Sequence, residues 1–334
     1  MISRIAALLI AATCTSAHAQ SASTEPVLSL SKGSGQAYPA KPIRIIAPFT
    51  AGGPVDIASR LLAQKLTEAW GQQIVVENRV GASGTIGADA VAKATPDGYT
   101  VLLTSSAHVI VPSILPKLPY DALRDFAPVS VVMSSPLLLV ITPSLPVNTV
   151  KDFVALAKAR PGELSFASGG AGSSTHLTAE LLKSVTGTKM VHVPYKGQSQ
   201  ALTDLMAGQI PFMFNAMPTV IEFIRAKRLR VLAITAEKRA AQLPEVPTFA
   251  EVGYNDMITG SWYAVWLPAK TPAAIVSRWA SEIVRVVNLP DVRKRILDLG
   301  GEPVANTPAQ FDAFQKSEAA RWAKIIRESG ATAQ

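Results

Sequence analysis

One stretch of the sequence, residues 43–60 (IRIIAPFTAGGPVDIASR), predicts a strand, a tight glycine turn and the start of a helix. Its first residues are mostly β-branched and apolar, as in a strand that is buried on most of its surface. Gly52 and Gly53 allow backbone N–H groups to approach a ligand, and Pro54 suits the first position of a helix. The start of a helix offers unpaired donors at the positive end of its dipole. The stretch therefore predicts either a plain strand-to-helix turn or an anion site.

A second stretch, residues 165–177 (SFASGGAGSSTHL), repeats this design. Its glycines at 169, 170 and 172 free the backbone, and the hydroxyl residues 173–175 offer a helix cap. Hydroxyl and amide side chains also follow other predicted strands, at the sheet edge where α/β proteins bind ligands. Two glycine loops that face each other would form a clamp around an anion.

The rest of the chain alternates predicted strands and helices, which indicates an α/β fold. With 334 residues, 48% of them hydrophobic, the chain is long enough for two domains. We expect the chain to cross between these domains near residues 137–142 and 262–267. Domain 1 is predicted to comprise residues 38–138 and 265–334, and domain 2 residues 139–264.

The N-terminus has the pattern of a secretory signal peptide. Arg4 precedes an apolar run at 5–12, and Ala17-His18-Ala19 is a typical cleavage signature. We expect residues 1–19 to be removed, residues 20–37 to form a flexible leader, and the mature protein to be soluble and exported. The only cysteine, Cys14, lies inside the signal, so neither disulfide nor thiol chemistry is expected after cleavage. The mature chain would keep a net charge of +7, which is compatible with anionic ligands.

Two other function classes are not supported by the sequence. The basic clusters at 225–230 and 293–295 lack interleaved aromatic residues and are interpreted as solvated helix surfaces, so no nucleic-acid partner is expected. The sequence has no G-x-S-x-G, H-E-x-x-H or P-loop motif, and its histidines are not spaced as a metal pair. We therefore expect no catalytic residue, no metal and no cofactor.

The candidate ligand-binding residues lie in the two loops and just after strands. They are Phe49, Thr50, Ala51, Gly52, Gly53, Ser105, Ser106, Gly172, Ser173, Ser174, Thr175 and Asn215. Four further residues are expected to line the cleft or to orient a loop: Asp56, His176, Tyr195 and Asp204. Asp56 in a first helical turn complements the helix dipole, with Arg60 as its ion-pair partner, although it could also meet a ligand ammonium group. The ring of His176 is expected to hydrogen-bond loop carbonyls.

Five motifs in order resemble the solute-binding receptors of tripartite tricarboxylate transporters, the TctC or Bug type. They are PFTAGGPVDIASR, VENRVGASGTIGADAVAKATPDGYTVL, GSSTHLTAELLK, HVPYKGQSQALTDLMAGQIPFMF and LPEVPTFAEVGY. The resemblance covers residue 38 to the C-terminus. It implies a type II periplasmic-binding-protein fold, a Venus flytrap of two α/β domains with two crossover strands, closing on a small organic acid.

The resemblance also implies how the ligand is held and delivered. Backbone amides and ordered waters of residues 49–53 and 170–175 would bind a carboxylate, and the monomeric receptor would deliver it to a two-component membrane permease. Amides suit this task because no charged side chain must be desolvated in each cycle. Two alternatives stay open: a hydrolase that uses Ser173 or Ser174 with His176, and a ligand sensor on the same fold.

Overall fold

The structure is a computed structural model that describes residues 38–115 and 117–332. The predicted signal peptide and leader, residues 1–37, lie outside the described residues. The strands are β1 (Ile43–Ala47), β2 (Ile74–Asn78), β3 (Thr100–Ser105), β4 (Phe126–Ile141), β5 (Ser165–Ser168), β6 (Val191–Pro194), β7 (Phe212–Ala216), β8 (Arg230–Ile234), β9 (Gly260–Pro268) and β10 (Glu302–Pro303). The helices are α1 (Pro54–Trp70), α2 (Thr85–Ala92), α3 (Ala107–Ile110), α4 (Val150–Ala159), α5 (Ser174–Thr186), α6 (Gln198–Met206), α7 (Met217–Arg225), α8 (Ala273–Val287), α9 (Pro290–Asp298) and α10 (Pro308–Ser329). The alternation of strands and helices confirms the predicted α/β class.

The strands form two sheets that share β4. The first sheet has the order β2-β1-β3-β9-β4-β10, with β1 parallel to both of its neighbours and β9 antiparallel to β3 and β4. The second sheet has the order β8-β4-β7-β5-β6, with β5 parallel to β6 and β7. We call each sheet with its helices a lobe. The two sheets curl into one continuous ten-stranded array because β4 belongs to both.

Strand β4 is much longer than the sequence predicted. The predicted crossing between the domains covers only residues 137–142, but the strand begins at Phe126 and pairs with β9 as far as Pro136. Two irregularities in the register, near Pro128 and near Val131, break the alternation that would have revealed this half. Prolines at 128 and 136 also argue against a strand, because proline cannot donate to the ladder.

The C-terminal helices cover the two faces of the first sheet. Trp279 on α8 is buried in the cluster that contains Leu103 and Val265. Trp322 on α10 is buried on the other face, in the cluster that contains Trp266. α10 begins with a capping box in which residue 307 is the cap.

The chain returns from the second lobe beside the strand that leaves the first. Thr235 donates its N–H to the carbonyl of Leu137, and Thr259, just before β9, donates its N–H to the carbonyl of Thr235. β9 itself pairs only within the first sheet. The domain boundaries drawn from the sequence stay a prediction. Among the described residues, no helix combines the length and apolarity that a membrane span needs.

Candidate functional site

A cavity lies between the two lobes, where the loop after β1 faces the loop after β5. We call residues 49–53 the first loop and residues 169–173 the second loop. The cavity is narrow in this structure, with a volume of about 20 Å³, enough for about one water molecule. Every residue that lines it is uncharged: Phe49, Gly53, Pro54, Val55, Ser105, Gly169, Ser173, Ser174, Gln198 and Tyr263.

A buried carboxylate, that of Asp56, stabilises the first loop through hydrogen bonds. Asp56 accepts hydrogen bonds from the Gly52 N–H at 3.0 Å, from Arg60 Nε at 2.9 Å and from Asn78 Nδ2 at 3.0 Å. Asn78 also donates to the carbonyl of Phe49 at 3.0 Å. Burial alone would raise the pKa of Asp56, but the hydrogen bonds from Arg60 and Gly52 outweigh it and lower the pKa. Asp56 thus fixes the loop, and the predicted ion pair with Arg60 is confirmed.

Glycines of the segment 81–87 let a helix approach the first loop closely. A Cβ atom on Gly87 would lie 2.7 Å from Cβ of Pro48, and one on Gly84 would lie 3.1 Å from the ring of Phe49. The first contact leaves no room for a Cβ atom, and the second would require the ring of Phe49 to shift. These two glycines therefore serve the packing of the helix start against the first loop.

The second loop is held by its own hydroxyl groups. The N–H of Gly169 donates to Thr175 Oγ1 at 3.0 Å, and the N–H of Gly170 donates to Ser168 Oγ at 3.1 Å. Ser173 Oγ donates to the carbonyl of Gly170 at 2.7 Å. These hydrogen bonds fix the shape of the loop and occupy its amides, so the loop glycines are not the free donors that the sequence suggested.

His176 completes the support of the second loop. Its Nδ1 accepts a hydrogen bond from the N–H of Gly172 at 3.2 Å, so its partner is an amide and the expectation of a carbonyl partner was wrong. Burial, with smaller effects of His192 and Lys183, lowers the pKa of His176 to about 3. The ring is therefore neutral near pH 7, and a neutral ring can accept from an amide. With Nδ1 occupied and Nε2 3.8 Å from Glu180, the ring does not pair with a serine hydroxyl.

The free donors at the cavity come from two helix ends. The first-turn N–H groups of any helix lack partners within the helix. α1 has no side-chain cap, and the N–H of Val55 lies in its first turn at the cavity. In α5, Ser173 caps the N–H of His176, which leaves the N–H of Ser174 at the cavity. The ends of both helices are positive and suit a carboxylate.

The lobes touch beside the cavity. Thr50 Oγ1 in the first loop lies 2.6 Å from Ser199 Oγ on α6, and Ser199 Oγ donates to the carbonyl of Ala51 at 2.9 Å. Gly197, just before α6, packs against Thr50 so closely that a Cβ atom would collide with Thr50 Oγ1. These contacts join the two lobes in a closed arrangement.

The structure brings together some of the candidate residues and separates others. Those on the cavity wall are Phe49, Gly53, Ser105, Ser173 and Ser174. Thr50 and Ala51 join the lobes, while Gly52, Gly172 and Thr175 take part in hydrogen bonds that shape the loops.

The remaining candidates lie off the cavity wall. Asn215 is fully buried, and its Oδ1 accepts from Thr219 at 2.6 Å. Ser106 is also buried, at the start of α3. Tyr195 donates to Asp204 at 2.6 Å, and burial together with this carboxylate raises the pKa of Tyr195 to about 12.

Sequence reasoning did not single out three residues of the cavity wall, Val55, Gln198 and Tyr263. Gln198 begins α6 after a glycine, which is the pattern used for the two loops, so it could have been found. Its Oε1 accepts from the N–H of Ala216 at 3.2 Å, which leaves Nε2 as a donor. Tyr263 lies inside an apolar strand, and no local pattern singles it out. Within the described residues, no cluster of His, Cys, Asp and Glu could hold a metal ion.

Comparisons with known proteins agree with this arrangement. The family model for the tripartite tricarboxylate transporter family receptor matches residues 58–331. Protein BugT of Bordetella pertussis is 41% identical over 300 residues, which cover 89% of this chain and 92% of that protein. A structure from R. palustris with adipate is 34% identical, with a TM-score of 0.86 over 89% of this chain and 99% of that one. MatC from Rhodopseudomonas palustris with bound malate is 29% identical, with a TM-score of 0.83 over 86% of this chain and 100% of that one. The chain belongs to the tripartite tricarboxylate transporter receptor family, whose members are periplasmic solute-binding receptors of the TctC or Bug type and have the two-domain fold.

Proposed function

We propose that this protein is an extracytoplasmic receptor that captures a small organic carboxylate and delivers it to a tripartite tricarboxylate-type permease. Export by cleavage after residue 19 and action as a monomer are part of this proposal. The observation that supports it most strongly is the uncharged cavity between the lobes, bordered by the first turns of α1 and α5. Fixed N–H groups at two positive helix ends can hold a carboxylate, as neutral donors do at other anion sites.

The contacts between the lobes support a receptor mechanism. Ligand captured in the open form touches one lobe, and closure adds donors from the other lobe, so the ligand favours the closed form. Thr50 and Ser199 meet only when the cleft is closed and add a direct contact to that form. Because no charged side chain lines the cavity, the ligand can leave without breaking a buried ion pair.

A thermal-shift screen of organic acids tests this proposal. The panel contains dicarboxylates, tricarboxylates, acidic amino acids and aromatic acids, with nucleotides and metal cations as controls. A ligand present at 100 times its Kd should raise the free energy of unfolding by about 2.7 kcal/mol. Stabilisation by at least one acid is expected. Stabilisation by nucleotides or cations alone would rule out the carboxylate receptor.

A further inference from the structure

Two stacked imidazole rings lie next to the second loop. The ring of His176 on α5 and the ring of His192 on β6 have centroids 3.9 Å apart and an angle of 15° between their planes. The ring of Phe166 on β5 stacks on His192 at a centroid distance of 5.0 Å. Apolar rings could supply the same packing, but imidazoles also carry nitrogens that form hydrogen bonds.

The two imidazoles hold the second loop at two different points. Nδ1 of His176 accepts the N–H of Gly172 at 3.2 Å. Nε2 of His192 lies 2.6 Å from Oγ of Ser168, and the same Oγ accepts the N–H of Gly170 at 3.1 Å. The pair therefore fixes the loop directly at residue 172 and through Ser168 at residue 170.

The tautomer of His176 fits this role. Because Nδ1 accepts a hydrogen bond, the ring proton of the neutral imidazole sits on Nε2. Oε1 of Glu180 lies 3.8 Å from Nε2, and the negative charge of this carboxylate favours a proton at that nitrogen. For His192 either tautomer serves, because the hydroxyl of Ser168 can both donate and accept.

The same two glycines of the second loop meet the first lobe. A Cβ atom on Gly170 would lie 3.2 Å from Oγ of Ser83, and one on Gly172 would lie 3.2 Å from Cγ2 of Val111. Ser83 precedes α2 and Val111 follows α3, so both belong to the first lobe. In contacts packed this closely, a small shift of the loop causes a clash or leaves a gap.

The second loop also positions groups of the cavity wall. Ser173 Oγ donates to the carbonyl of Gly170 and accepts the N–H of His176, so it links the loop to the start of α5. Ser173 and Ser174 both line the cavity. A loop released at residue 170 or 172 would therefore shift Ser173 and disturb the cap beside the N–H of Ser174.

We infer that His176 and His192 are positioning residues for ligand binding, which hold the second loop where its glycines fit against the first lobe in the closed form. The inference rests on the proposed function and deepens it. Neither histidine is among the residues that line the cavity, so each acts through the loop and not by touching the ligand.

Asparagine and glutamine substitutions separate the hydrogen bonds of these rings from their packing. Oδ1 of asparagine can replace histidine Nδ1, and the amide end of glutamine can replace Nε2. His176→Asn should thus keep an acceptor for the N–H of Gly172, which His176→Gln loses. At position 192 the order is reversed, because His192→Gln keeps a partner for Ser168 that His192→Asn loses.

Calorimetric titration compares the four variants, using the acid that stabilises wild type most in the thermal-shift screen. His176→Gln should bind about 2- to 12-fold more weakly than His176→Asn, the range for the loss of one neutral hydrogen bond. His192→Asn should bind more weakly than His192→Gln by a similar factor. The loss arises because a released loop must be ordered when the ligand binds.

Thermal unfolding of each unliganded variant shows that the protein is folded before its affinity is measured, and the two positions test the inference separately. Equal affinity within a pair, or the reverse order, would overturn the role of that histidine, because ring packing alone does not distinguish the nitrogens. The carboxylate receptor would then still stand. If no acid binds wild type, the proposed function fails and the inference fails with it.

Discussion

Replacing Gly197 with alanine should weaken ligand binding roughly 5- to 150-fold without unfolding the protein. A Cβ atom at this position would collide with Oγ1 of Thr50 and lie 3.0 Å from its backbone N. Both atoms belong to the other lobe, so the clash exists only in the closed form. Overpacking of this kind costs about 1–3 kcal/mol, and the cost appears as a loss of apparent affinity. The backbone conformation of Gly197 allows alanine, because its φ of 165° is one that any residue adopts.

Two further variants isolate the clash. Lys196→Ala changes the neighbouring exposed residue and should bind as wild type does. Thr50→Ala removes the colliding oxygen, so the double variant Thr50→Ala/Gly197→Ala should bind more tightly than Gly197→Ala. Calorimetric titration with the best acid from the screen measures all four affinities. Wild-type affinity in Gly197→Ala would show that binding does not require the lobes to meet at Thr50.

Gly53→Val should abolish detectable binding at acid concentrations that saturate wild type. Gly53 is buried on the cavity wall. A Cβ atom at this position would have one neighbour within 4 Å, the carbonyl oxygen of Thr50 at 3.1 Å. The methyl groups of valine would therefore enter the cavity and fill the space of the ligand. They would also cover the N–H groups at the start of α1.

The fold should tolerate this change. Gly53 has φ of −78°, which suits valine, and it is the residue before the first turn of α1. A branched apolar residue at that position should lower the free energy of unfolding by about 1 kcal/mol. Gly53→Ala adds one methyl group and should bind with intermediate affinity. Chemical denaturation separates a loss of stability from a loss of ligand binding. A Gly53→Val protein that is folded and binds normally would show that the first loop is not part of the ligand site.

The sequence predicted those features that depend only on residues close together in the chain. The turn at Gly52, which has φ of 74°, and the proline at the start of α1 both follow from the backbone conformations that these residues allow. The alternation of strands and helices gave the fold class for the same reason. The two glycine loops were also correctly placed at helix starts, because glycine and hydroxyl residues there have few other uses.

What the sequence could not supply depends on contacts between distant residues. The sequence suggested that the glycine amides of the second loop are free to bind the anion. In the structure these amides donate hydrogen bonds to Ser168, Thr175 and His176 instead. Tyr263 reaches the cavity only because β9 inserts between β3 and β4, a pairing that no local pattern reveals. The first half of β4 was missed because its bulges and prolines hide the strand period.

The most direct test of the account is a crystal structure of the wild-type protein with the acid that stabilises it most. The central claim is that neutral donors from both lobes hold a carboxylate without a charged side chain. We expect carboxylate oxygens within 3.2 Å, directly or through one water, of the N–H of Val55 and the N–H of Ser174. A ligand bound outside this cavity, or one held by a lysine or arginine side chain, would contradict the claim.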